Sequence, residues 1–220
     1  MKVLLTSGCS FTETEEGHTR CWPLPLSESL NVPLVNYAKS SVGNQYIART
    51  IVQGVERLLE ELSAEDLLVG VMWTGIDRHE VYQGDEWKTL NAYWDDPLST
   101  AYYNNLHDLT GAALTTAYWQ FLTEQYLQNK GVKYFMTRMS AYPSELSLEG
   151  TGNTEYKLLK ASRKNWLPVE GEFDWLEAYS DTVFTKRESE GYHCHPDDVQ
   201  HETFTRQVIM PWLKRTYDIF

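Results

Sequence analysis

The run Asp66-Leu67-Leu68-Val69-Gly70-Val71-Met72-Trp73 constrains the fold of this chain more than any other stretch. It is almost wholly apolar and too short for a membrane span. Such a run reads as a strand covered on both faces, the kind that parallel sheets are made of. Parallel strands need crossover connections, usually helical. The sequence supplies one just upstream: Ile47, Ile51, Val55, Leu58, Leu59 and Leu62 fall on a single stripe and predict an amphipathic helix over Asn44–Leu62.

Shorter apolar runs predict further strands at 2–6, Pro33–Ala38 and Val132–Thr137. Helical spacing returns at 112–129, ended by Lys130-Gly131, and from about Asp198 to about Tyr217. Residues 78–111 lose clear periodicity, are rich in Tyr, Trp, Asn and Asp, and read as an insertion or lid. Residues 140–190 are weakly patterned. Strands alternating with helices predict an α/β fold, a three-layer α/β/α sandwich with a central parallel sheet. No repeat or interdomain linker divides the 220 residues, so a single domain is expected.

Composition narrows the function. Net charge is −12, from 19 basic and 31 acidic residues, and no Lys/Arg cluster is present. Nucleic-acid binding depends on such clusters, so nucleic acid is not expected as a partner. No apolar run reaches the ~20 residues of a membrane span, and the N-terminal apolar run is too short for a signal-peptide core. The three cysteines, Cys9, Cys21 and Cys194, are too few and odd in number for a disulfide framework. Together these predict a cytoplasmic protein without a membrane partner.

In parallel sheets the active site lies at the carboxyl ends of the strands. Four polar turns fall there: Gly8–Thr12, Ser40–Gln45, Thr74–Arg78 and Thr137–Ala141. In the first, Ser10 stands on a Gly-containing turn straight after a strand. That position suits a nucleophile near backbone N–H donors, although Ser10 or Thr12 would equally serve there as a helix cap. Near the other end, His193-Cys194-His195-Pro196-Asp197 precedes the last helix. Pro196 suits a helix start, and His195 just before it is a candidate general base. His193, Cys194, His195 and His201 are metal-ligand types, but their spacing matches no standard zinc pattern and no metal or other cofactor is expected.

Taken in order, these segments resemble the blocks of the SGNH (GDSL-type) hydrolases. Gly8-Cys9-Ser10-Phe11-Thr12 is similar to the first block, with Cys9 where Asp is commoner. Asn36 to Asn44 is similar to the second, and His195-Pro196 to the last. Trp73-Thr74-Gly75-Ile76-Asp77-Arg78 resembles the third block of a divergent, often phage-encoded branch; it lacks the family's Asn.

The resemblance implies a flavodoxin-like sheet and hydrolysis of acyl esters through an acyl-enzyme, with Ser10 as nucleophile and His195 as base. It implies an oxyanion hole from the Ser10 and Gly43 N–H groups, with Thr74 or Asn44 standing in for the missing Asn. Tyr192 occupies the usual place of the triad Asp, leaving His193 and Asp197 as candidate orienting residues. Asp77, Arg78 and Trp87 are candidates for orienting or binding. Tyr82, Trp87, Tyr93, Trp94, Tyr102 and Tyr103 would give a lid with aromatic faces for a carbohydrate-linked ester. The alternatives are a non-catalytic binding module on the same fold, or a flavodoxin-like binder of small ligands; the latter lacks a Gly-rich phosphate loop.

Overall fold

A computed structural model describes residues 1–14, 20–139, 153–161, 163–167 and 195–219. Strands β1 (Val3–Ser7), β2 (Leu34–Asn36), β3 (Leu67–Trp73) and, after two intervening hairpin strands, β6 (Lys133–Arg138) form one parallel sheet in the order β2-β1-β3-β6. The register pairs Leu5 with Val35 on one side and with Val69 on the other; Val69 in turn pairs with Tyr134. All seven residues of β3 are buried, as its unbroken apolar run requires. Beyond β6, Trp166 bridges in parallel to Met136, extending the sheet edge by one rung.

Helices cover both faces. On one lie α2 (Asn44–Leu59) and α4 (Leu109–Lys130). There Gly54 of α2 meets Leu5 and Tyr37, with no room for a larger residue, and the Tyr134 hydroxyl donates to Glu124 of α4. On the other face lie α1 (Pro23–Leu30) and the C-terminal helical segment, comprising α6 (Asp198–Phe204), a π turn over Thr205–Ile209 and α7 (Met210–Tyr217). Trp22 and Phe135 pack edge to face at 5.6 Å, and Phe135 also meets Trp212. The π turn sits just before Pro211, which has no N–H to give to the preceding turn, so the ladder widens there.

Residues 78–111, read as an insertion or lid without clear periodicity, are largely regular. Strands β4 (Arg78–Gln83) and β5 (Glu86–Asn91) form an antiparallel hairpin, followed by α3 (Pro97–Asn105). The hairpin turn, Gly84-Asp85, has φ of 62° and 65°. Both positive values fit a type I′ turn, whose twist matches that of the strands. A short helix, α5 (Thr154–Ala161), packs on α4. No helix among the described residues is long and apolar enough to cross a membrane.

The central strand is packed tightly enough to test. A Cβ added at Gly70 would lie 2.7 Å from the Phe135 ring and 2.8 Å from the Trp22 ring. Both rings are buried and fixed by their neighbours. Gly70→Ala is therefore expected to cost about 1–3 kcal/mol in denaturant unfolding, the usual price of overpacking. An unchanged midpoint would mean that this layer is looser than described.

Candidate active site

The strand order places a topological switch between β1 and β3: the chain leaves β1 for β2 on one side and returns to β3 on the other. Crevices for ligands form at such points, beyond the strand carboxyl ends. Ser10 follows β1 and Thr74 follows β3, so both stand at this crevice.

The turn carrying Ser10 is held by its neighbours. A Cβ on Gly8 would fall 2.2 Å from Thr12 Oγ1, so only Gly permits this closure. Thr12 Oγ1 accepts from the buried Trp22 indole at 3.1 Å. The N–H groups of Thr12 and Glu13 both donate to the Cys9 carbonyl. Asn36 ties the turn to the sheet: its Nδ2 donates to the Thr12 carbonyl at 2.8 Å, and its Oδ1 accepts from Thr6 and from the Ala38 N–H. The Ser10 N–H donates to no acceptor among the described residues.

His195 Nε2 lies 2.7 Å from Ser10 Oγ. Its ring leans on Phe11, with centroids 5.0 Å apart. The two residues are 185 positions apart in the chain, and only the meeting of the first turn with the last helix joins them. That helix starts at Asp197, whose Oδ1 accepts from the Gln200 N–H while Gln200 reaches back to the Asp197 N–H. Asp197, expected as an orienting residue, thus caps this helix. His193 and Cys194 lie outside the described residues.

Gly43, Asn44 and Thr74, expected as oxyanion donors, are engaged in bracing the rim. Asn44 is buried; its Nδ2 donates to the Thr74 carbonyl at 3.0 Å and to Thr116 Oγ1 at 3.2 Å, and its Oδ1 accepts from the Thr74 N–H at 2.8 Å. Thr74 Oγ1 accepts from Arg78 Nη1 at 2.7 Å and points to Met139 Sδ, which also meets Cys9 Sγ. Gly43 abuts the Arg78 carbonyl, and its N–H faces the Glu80 carboxylate. To hold an oxyanion, each would have to leave these partners. Asp77 folds back over Gly75, and its carbonyl accepts from the Tyr103 hydroxyl.

Sequence reasoning missed Glu80, the buried anchor of the hairpin. Arg49 Nη2 donates to it at 2.6 Å, and the guanidinium also lies 4.0 Å from the Trp87 ring. Burial raises the Glu80 carboxyl; Arg49 opposes that shift, as do the Gly43 N–H and the Thr89 hydroxyl. Trp87, expected as a lid residue, thus has one face covered by Arg49 and an edge contact with Tyr82. Tyr102 and Tyr103 pack inward against His79 and His107, whereas Tyr82, Trp87, Tyr93 and Trp94 remain exposed. Burial also pushes the Cys21 thiol up to about 12, with Cys9 adding to the effect. Among the described residues no three His, Cys, Asp or Glu side chains gather as a metal site.

The chain belongs to a family of unknown function, DUF6071, whose model matches residues 7–219. No curated protein matches it in sequence. Among solved structures it is similar to TesA, with TM-score 0.55 and 13% identity over 97% of this chain and 99% of the other. It is similar to YXIM of Bacillus subtilis, with TM-score 0.55 and 13% identity over all of this chain and 58% of the other. An acetyl xylan esterase from the rumen bacterium Butyrivibrio proteoclasticus matches with TM-score 0.50 and 10% identity, again over all of this chain and 65% of the other. These likenesses establish the α/β fold.

The helix that begins after Asp197 carries a buried histidine. His201 is 1% exposed, and its Nδ1 accepts from the Trp22 N–H at 3.3 Å. Burial lowers its pKa from 6.5 to about 4. The folded state therefore keeps His201 neutral where the unfolded chain is already protonated. Stability contributed here is full above about 6.5 and is lost as pH falls toward about 4. His201→Asn, whose Oδ1 can accept the same N–H, is expected to flatten that part of the stability–pH curve. An unaltered slope between those pH values would remove His201 as its cause.

Proposed function

We propose that this chain is a serine ester hydrolase acting through Ser10 and His195. The observation that carries the reading is the 2.7 Å contact of His195 Nε2 with Ser10 Oγ at the switch point of a parallel sheet. In this mechanism Ser10 Oγ attacks the ester carbonyl while His195 Nε2 takes its proton. The C–O bond to the alcohol then breaks, and His195 returns the proton to the leaving alkoxide. Water, deprotonated by His195, attacks the acyl-enzyme and releases the carboxylic acid, and Ser10 regains its proton. The Ser10 N–H is the donor open to the oxyanion.

The substrate is an acyl ester of a small molecule, and an acetyl ester on a carbohydrate is the narrower form we favour. The exposed rings of Tyr82, Trp87, Tyr93 and Trp94 support it as stacking surfaces, and one structural neighbour is an acetyl xylan esterase. Membership of the SGNH hydrolases rests on the Ser10 and His195 blocks together with the fold, and its phage-type branch on residues 73–78 alone. Cys9 and Cys21, both buried and unbridged, support a reducing, cytoplasmic setting.

A second reading, a non-catalytic module on the same fold, draws on one observation: Gly43, Asn44 and Thr74 already have partners within the rim. Turnover of p-nitrophenyl acetate separates the two. The wild type is expected to hydrolyse it and to label with a fluorophosphonate probe. Ser10→Ala and His195→Ala should each lower kcat/KM by roughly 10³-fold or more with folding intact. A folded wild type that neither turns over nor labels would favour the binding module, and equal activity in all three proteins would place the chemistry elsewhere.

A further inference from the structure

On the β3 side of the rim lies a cavity of about 230 Å³ between the starts of α2 and β4, the end of α3 and the first turns of α4. Its wall includes Gln45, Arg78, His79, Tyr102, Thr115 and Trp119. Neither Ser10 nor His195 lines it. Arg78 connects the two places, because its Nη1 donates to Thr74 Oγ1, which faces Met139 and through it Cys9.

Arg78 is half-buried and forms no ion pair among the described residues. The neighbouring Asp77 carboxylate turns away over Gly75. Arg78 Nε is buried without any hydrogen-bond partner. Enclosing part of a guanidinium with no anion beside it is costly, and buried charges are normally paired. Arg49, a short way along the same rim, follows that rule through Glu80; Arg78 does not. With Nη1 given to Thr74 and Nε enclosed, Nη2 is the donor left for a ligand in the cavity. Its charged N–H groups suit a carboxylate oxygen.

The rest of the wall is consistent with that ligand. The Gln45 Oε1 accepts from the Glu80 N–H at 2.7 Å, while its Nε2 protons have no acceptor among the described residues. The Thr115 and Tyr102 hydroxyls likewise have none. The one carboxylate on the wall, Asp108, caps α4 by accepting from the Gly111 N–H at 2.6 Å. Rings of His79 and Tyr102, stacked at 4.7 Å, close one side.

We propose that this cavity is a subsite for a carboxylate on the substrate, held by Arg78 Nη2, so that the preferred esters are anionic. The proposal rests on the esterase reading for its substrate but not for its binding. The overall charge of −12 would repel such a ligand at long range. Selectivity for it therefore has to come from short-range contacts such as this one.

Binding is tested apart from turnover by titrating Ser10→Ala protein calorimetrically with 4-acetoxybenzoate and with its neutral counterpart, 4-acetoxybenzamide. The benzoate is expected to bind roughly tenfold tighter or better, as one charge-assisted contact allows. Adding Arg78→Ala should abolish the difference, and Arg78→Lys, which keeps the charge on a shorter stem, should recover part of it. Equal binding of the two probes, no binding of either, or a preference that survives Arg78→Ala overturns the subsite. Hydrolysis by the wild type is read separately. If the wild type binds the benzoate through Arg78 yet leaves it intact, the esterase reading falls and the anion site stands.

Discussion

The rim of this molecule depends on the side chain of Asn44. One buried amide accepts the Thr74 N–H, donates back to the Thr74 carbonyl, and reaches Thr116 of α4. It replaces, at the point where β3 ends, the backbone ladder that β3 can no longer use. Without it a buried N–H and C=O would go unsatisfied, at about 1–3 kcal/mol each. The same bonds join the first residue of α2, the end of the central strand and the second turn of α4. Thr74 is thereby fixed, and with it the hydroxyl on which Arg78 rests.

Two arginines at this rim meet opposite fates. Arg49 is neutralised by Glu80, whose side chain is 1% exposed, and its guanidinium lies over Trp87. That pair pins the β4–β5 hairpin to α2 and removes Trp87 from the set of fully open stacking faces. A buried pair is weak evidence of stability, because desolvation offsets much of the attraction, but it fixes position well. Arg78 starts the same hairpin, and its charge has no such partner among the described residues. The hairpin is thus held by one arginine and presents the other.

The sheet was legible because its strands are apolar on both faces, so a run such as Leu67–Trp73 has no other reading at that length. The hairpin was not, because the inward position on β4 is Glu80 rather than an apolar residue, and this breaks the expected alternation. A Gly-Asp pair between two six-residue strands was the available signal; its type I′ geometry appears in the φ values. Ser10 and His195 were legible since each sits at a punctuated boundary, a Gly turn and a His-Pro helix start. The roles of Gly43, Asn44 and Thr74 were not, because residue type tells what a group can donate but not to whom. Asn44 donates to Thr74, one expected donor bracing another.

The pairing of Ser10 with His195 also depends on bonds outside the pair. The last helix is fastened to the first loop by the Trp22 N–H on His201 Nδ1, by the Thr205 hydroxyl facing the Trp22 carbonyl, and by the Arg20 N–H on Asp198. Trp22 is also the indole that holds Thr12, and Thr12 closes the turn on which Ser10 stands. One buried residue therefore sets the position of the serine from one side and of the histidine's helix from the other. Catalytic geometry is sensitive to displacements near 1 Å. Protonating His201 would turn its Nδ1 from acceptor to donor against the Trp22 N–H, and so would act on the site without touching either of its two residues.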